Sequence, residues 1–284
     1  MAFLGDSDAA SDGSRQFPQH QAALTILQDI AANPQHSKAR WLDLGCGRGQ
    51  ILHHLSHNLD SESRAKIHYC GIDVNHLHVR ETERVAQGLE LAGQEVRVAE
   101  LHDAVMMLKE PSRFDFITLT NTTHELAPRA LASTLIASVC LLSESGRFFA
   151  YDMERLPTPE LGAVAWRAEE IRRILECVCR SLDAPEFKAA CSRWQHQSCT
   201  SWSIQLNKRY VATTNSPSEQ MIENATAVAL VTMASIIQAK LEEVQGILEA
   251  ITLGHQGETL DEEEERSRLL YDYWSLSRAL ELVQ

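Results

Sequence analysis

The sequence predicts an α/β fold, a doubly wound and mostly parallel sheet, with a helical hairpin at the C-terminal end. Three observations carry this. Strand-like apolar runs alternate with helical periodicity from residue 40 to residue 152. A glycine-rich turn joins the first of these strands to its helix. Residues 216–284 then carry apolar positions at helical spacing on both sides of a single glycine turn.

Taken in order, residues 5–16 are small, polar and acidic, and residues 1–16 are expected to form a disordered tail. Gln19–Ala32 spaces Ala23, Ile26, Leu27 and Ile30 as a helix, which Asn33-Pro34 ends. Next comes Trp41-Leu42-Asp43-Leu44, an apolar strand with one acid, then Gly45, Gly47 and Gly49, then a helical pattern from Gln50. Glycine permits positive φ and lets backbone N–H groups approach a ligand with no Cβ in the way. The dinucleotide fingerprint would place its third glycine one residue later, where Gln50 stands. The pattern Asp43-x-Gly45-x-Gly47-x-Gly49 instead resembles motif I of the class I S-adenosylmethionine-dependent methyltransferases. The resemblance extends over roughly Ser37–Val211. It implies a seven-stranded Rossmann-like methyltransferase domain, set here at residues 17–212, with S-adenosylmethionine as cofactor. It also implies that Asp43, Gly45, Gly47 and Gly49 shape the methionine end of the cofactor site. Gln19–Ala32 is then either a lead-in helix that closes over the cofactor or an ordinary packing helix.

Ile67–Asp73 reads as a second strand ending in an acid. A carboxylate at a neighbouring strand tip offers two acceptor oxygens, enough for both hydroxyls of a ribose. Asp73 is assigned that role; the alternative is that Asp73 or Asn75 caps the next helix. That helix is expected over His76–Ala92, closed by Gly93, before a third strand at Val96–Glu100. The resemblance makes Asp103 an acceptor for the adenine amino group, with Glu100 as competitor and N-capping of a helix at Ala104–Lys109 as the plain alternative. Phe114–Asn121 is a strongly apolar fourth strand, as suits a sheet centre. Ligands in open α/β sheets bind beyond the carboxyl ends of the strands. Asn121, His124 and Glu125 therefore face the acceptor, with Asn121 also counted among the cofactor-binding residues. His124 is the candidate catalytic base, because an unperturbed imidazole titrates near working pH, and Glu125 orients it or touches substrate. The plain alternative is that His124 packs the helix start.

Pro128–Leu142 is the next helix and Arg147–Asp152 the fifth strand. Trp166–Leu182 is helical, and Phe187–Trp194 with Thr200–Tyr210 reads as the antiparallel pair that ends the family's sheet. The hairpin opens with a capping box at Ser216-Pro-Ser-Glu219, runs over Met221–Leu253, turns at Gly254–Gly257 and returns over Glu262–Val283. It has too many apolar positions to stand alone, so it must pack on the catalytic domain, on a second copy or on a protein partner.

The net charge of −13 disfavours nucleic acid as a partner, because such binding relies on Lys and Arg at phosphates. No long uncharged apolar run stands out, so no membrane span is expected, and the odd count of seven cysteines suits a reducing cytoplasm. Cys177, Cys179, Cys191, His196 and Cys199 are too irregularly spaced for zinc, and no metal is assigned. Asn121-Thr-Thr-His124 lacks the two prolines and the aromatic that follow the fourth strand in DNA amino-methyltransferases. These readings converge on methyl transfer to oxygen or nitrogen of a small-molecule or protein acceptor. Two alternatives remain: a cofactor-binding or inactive methyltransferase-like module within a protein complex, and a nicotinamide-dependent oxidoreductase.

Overall fold

Strands β1 (Ala39–Leu44), β2 (Ile67–Asp73), β3 (Gly93–Val98), β4 (Phe114–Thr120), β5 (Leu142–Met153), β6 (Ala189–His196) and β7 (Cys199–Asn207) form one sheet in the order β3-β2-β1-β4-β5-β7-β6. Only β7 runs against its neighbours. The computed structural model describes residues 17–33, 38–103, 113–184, 186–196, 199–211, 217–254 and 260–283. The expected tail, the helix at Ala104–Lys109 and most of the hairpin turn lie outside these residues.

Strand periodicity sorts side chains onto the two faces. Trp41 lies beside Tyr69 and Phe116 in register, and all three enter one core with Phe149. Helices α1 (Pro18–Ala32) and α2 (Gln50–Asn58) cover that core through Leu24, Leu27, Leu52 and Leu55. The packing reading of α1 is thus the one its contacts support. Leu42, Leu44, Ile72, Ile117 and Leu119 point the other way, under α5 (Pro128–Cys140) and α6 (Ala168–Ser181). The strand order reverses between β1 and β4, which opens a crevice at their carboxyl ends.

The hairpin is α7 (Glu219–Gly254) and α8 (Leu260–Val283). Ala225, Ala229, Met233, Ile236, Ile237, Leu276 and Ala279 are buried in the same core as α5 and α6. Of the three docking choices, the catalytic domain is where it packs. Ser218 Oγ accepts from Met221 N at 3.2 Å, so the helix is capped two residues after Ser216. By length and composition α7 is apolar enough to cross a membrane, with a mean hydropathy of 1.3 over its best window. The core-facing stripe from Ala225 to Ile237 accounts for much of this apolarity.

Two further expectations are corrected. The helix after β2 is α4 (His76–Gln87) and stops at Gly88. Gly93 instead starts β3, where an added Cβ would come within 2.5 Å of the His68 ring. Strand β5 begins five residues earlier than Arg147, because Gly146 fits against the Phe114 carbonyl, only 2.7 Å from where a Cβ would stand.

Candidate active site

The glycine turn leaves β1 with Gly45, Gly47 and Gly49 all at positive φ, 71°, 51° and 76°. Neighbouring elements hold it there. Thr82 on α4 donates its hydroxyl to Gly47 O at 2.7 Å, and Gly45 N and Cys46 N both donate to Ile72 O at the end of β2. A Cβ on Gly45 would meet Thr122 Oγ1 at 2.5 Å, whereas nothing lies within 4 Å of one on Gly47. The turn is therefore packed at its base and open at its middle.

Asp73, at the tip of β2, faces that opening. Its Oδ2 accepts from Gly47 N at 2.9 Å and its Oδ1 from Asn75 N at 2.8 Å. Capping of α4 falls to Asn75, which accepts from Leu77 N. Each Asp73 oxygen keeps a second lone pair, and its side chain is 12% exposed. The next residue, Val74, is 61% exposed, an apolar side chain at the same strand tip.

Asp43 lies elsewhere than at the surface of this crevice. It is buried, accepting from Tyr69 Oη at 3.0 Å and from Thr118 Oγ1 at 2.6 Å. Burial pushes its carboxyl up to about 6, against the downward pull of those two hydrogen bonds. It thus supports β1 and its turn from below. Asp103 sits on a short turn beyond β3, exposed, with His102 at 3.5 Å. The start of that segment is tied to the site, since Ala99 N donates to Asp73 O. No described contact links the Asp103 side chain to the glycine turn. Asn121, just past β4, is at φ 52°, with its N–H on Tyr151 O of β5.

The turn after β4 presents His124, only 3% exposed. Its Nδ1 lies 2.7 Å from Oδ1 of Asp152, a buried acid at the carboxyl end of β5. An ionised carboxylate only accepts, so the imidazole donates. Asp152 Oδ2 also takes the Thr123 hydroxyl and His124 N. On the other ring edge, Nε2 is 3.4 Å from Glu160 Oε2 and 3.9 Å from Glu125 Oε1. Burial by itself would lower the imidazole pKa, but hydrogen bonds and charge from Asp152 and Glu160 outweigh it and raise the pKa to about 10. Asp152 and Glu160 thus favour the protonated ring, in contrast to an unperturbed imidazole. Glu125 is held above the usual carboxylate range, first by desolvation and then by Glu160, Asp152 and Asp73, with His124 opposing.

Glu160 belongs to the segment between β5 and α6, which is fastened on both sides. Val164 N donates to His124 O at 2.9 Å, Gly162 N to Ser275 Oγ of α8 at 3.1 Å, and Arg268 of α8 to Leu156 O. Arg155 pairs with Glu265 at 2.6 Å. The hairpin thereby supports the segment that walls the His124 side of the crevice.

A family model for a methyltransferase domain matches residues 35–225. The chain belongs to the class I S-adenosylmethionine-dependent methyltransferases. Comparison with curated proteins gave no match. Among solved structures, CurJ carbon methyltransferase is 14% identical with a TM-score of 0.50, over 69% of this chain and 54% of that one. Magnesium protoporphyrin IX methyltransferase from Synechocystis PCC 6803, with bound SAH, is 15% identical with a TM-score of 0.47, over 66% of this chain and 82% of that one. PH0226 protein from Pyrococcus horikoshii OT3 is 16% identical with a TM-score of 0.47, over 72% and 96%. At such identities the likeness speaks to fold alone.

Sequence reasoning about this methyltransferase missed Asp152, Glu160 and Val74. Asp152 carried a usable signal, an acid at a strand tip like Asp43 and Asp73. Glu160 carried none, lying in an irregular segment with no periodicity. His54 is buried beside His20, with ring centroids 5.6 Å apart.

Proposed function

We propose that this methyltransferase transfers the methyl group of S-adenosylmethionine to an oxygen or nitrogen of a small-molecule or protein acceptor held beside His124. The observation that carries the reading is the buried His124–Asp152 pair at the same sheet end as the open glycine turn. The cofactor fits the residues present. Gly47 leaves room for the methionine end, Asp73 retains two acceptor positions for the ribose hydroxyls, and exposed Val74 offers an apolar face to adenine. Asp103 and Asn121 complete the assignment at the adenine and at the inner wall. When bound, the cofactor supplies an electrophilic methyl group. The chain's own task is to align the acceptor, exclude water and handle its proton.

His124 is well suited to position an acceptor. Its ring is fixed by Asp152 on one side, and its Nε2 edge faces Glu125 and Glu160. As an imidazolium it donates a hydrogen bond to the acceptor. To act as a base it must first pass its Nε2 proton to a carboxylate, and Glu160 is the nearer. The three acids around it favour an acceptor that is neutral or cationic.

The test is transfer of isotope-labelled methyl to a panel of small amines, alcohols and protein extracts, with His124→Gln and Asp152→Asn alongside. Labelled product that both variants reduce supports the reading; product formed equally by both removes His124 from the chemistry. A second reading, a cofactor-holding module within a complex, draws on the outer hairpin face, where Val231, Leu270 and Trp274 are 72%, 51% and 48% exposed. Cofactor binding without transfer to any acceptor, together with a stable complex through that face, favours it.

A further inference from the structure

The Nε2 edge of His124 meets two carboxylates, and this arrangement has a chemical consequence. The Nε2 atom and one oxygen each of Glu125 and Glu160 all lie within 4.8 Å of one another. Among the described residues this is the one group of histidine, cysteine and acid side chains so arranged. It differs from a patch of surface acids in its third member, which is a nearly fully buried imidazole. That imidazole is aimed: Asp152 takes Nδ1, so Nε2 is the nitrogen left to face the carboxylates. In protein metal sites the ligating histidine commonly gives its other N–H to a carboxylate, which fixes tautomer and ring orientation. The same relationship is present here.

We propose that His124 Nε2, Glu125 and Glu160 bind a first-row divalent cation, with Asp152 as the group that orients the imidazole. A proton on Nε2 and a metal ion would occupy the same place between the ring and the two carboxylates, so binding of the ion releases that proton. Three carboxylates surround a single imidazole, so the cluster is anionic in either protonation state of the ring. Ligand bonds of about 2.1 Å would draw the three donor atoms to roughly 3 Å apart. The required movement falls on Glu125 and Glu160, whose side chains are 62% and 45% exposed, rather than on the buried His124. One nitrogen and two oxygen donors suit manganese(II), zinc or cobalt(II) better than calcium. Three protein ligands leave coordination positions open toward the crevice, where an acceptor oxygen or nitrogen would sit. That use of the ion rests on the methyl-transfer reading, but its binding does not.

Manganese(II) alone, titrated into the dialysed full-length chain and followed by loss of the free-ion paramagnetic resonance signal, is the probe. Thiols compete less for it than for zinc. The expected result is one saturable ion per chain. Glu160→Gln and Glu125→Gln should each weaken binding at least about tenfold, and Asp152→Asn by about 10–100-fold. Glu263→Gln, at an exposed acid on α8, should bind as the parent does. Both glutamine variants alter exposed side chains, and circular dichroism confirms that they fold. Absence of stoichiometric binding, or binding that both variants leave unchanged, overturns the proposal. Calorimetry with S-adenosylmethionine on the same samples keeps the two readings apart. Cofactor binding without manganese binding refutes the metal site alone, and the reverse refutes the cofactor reading alone.

Discussion

Gly45 and Thr122 lie so close that a Cβ on the glycine would stand 2.5 Å from the threonine hydroxyl. This contact joins the turn after β1 to the turn after β4 across the crevice. Gly45→Ala faces both that clash and a φ of 71°, and is expected to destabilise the fold by more than about 1–2 kcal/mol. Gly47→Ala has open space and faces only the φ term, about 1–2 kcal/mol. Its side chain would enter the cofactor's room. Thermal melts and cofactor titration should therefore separate the two: Gly45→Ala fails first in stability, Gly47→Ala first in binding.

Thr118 is the hinge of a buried polar chain. Its hydroxyl donates to Asp43 and accepts from Trp41 Nε1 at 2.8 Å. Thr118→Val strips a hydrogen bond from a buried carboxylate and leaves an indole N–H unpaired, at about 1–3 kcal/mol for each unsatisfied group. Urea denaturation should show a loss of at least about 2 kcal/mol. A loss under about 0.5 kcal/mol would mean that water or a rearranged partner replaces the threonine.

His20 predicts a pH dependence. Burial first, and then the neighbouring His54, lower its pKa from 6.5 to about 4. The unfolded chain therefore binds a proton between those values that the folded chain does not. The contribution of His20 is fully present above pH 6.5 and is lost as the pH drops through that window, by about 3 kcal/mol in all, while the raised carboxyl of Asp43 acts in the opposite direction over part of it. The lowered pKa of His54 acts in the same direction as that of His20. His20→Leu should flatten the slope of denaturation midpoint against pH over this range; an unchanged slope would assign it to other groups.

Met233 tests whether the hairpin is part of the catalytic core. It is completely buried among α5 and α6 side chains. Met233→Ala should cost about 2–5 kcal/mol in one cooperative transition. A biphasic melt, with the hairpin leaving first, would show instead that the hairpin is a separable unit.

Much of the sheet was legible because its signals are local. Alternating apolar runs marked the strands, and glycine spacing marked the first turn. Acids at strand tips led to Asp73. The remainder depended on contacts between distant residues. Asp43 is expected to help shape the methionine end of the site, and its burial between Tyr69 and Thr118 of the flanking strands is a contact its local sequence does not show. His124 was read as a base near neutrality, yet Asp152, on the neighbouring strand β5, sets its charge. Gly93 was read as a helix stop, although a cross-strand histidine is what requires it.

The turn from Gly45 to Gly49 and the Asp73 carboxylate are proposed to bind S-adenosylmethionine. Calorimetric titration of the full-length chain with S-adenosylmethionine and S-adenosylhomocysteine, beside Asp73→Ala, tests it most directly. The account predicts saturable one-to-one binding of both ligands, weakened at least about tenfold in the variant, since hydrogen bonds to a charged group contribute about 1.5–3 kcal/mol. Failure of the folded parent chain to bind either ligand, or binding that Asp73→Ala leaves untouched, would contradict it.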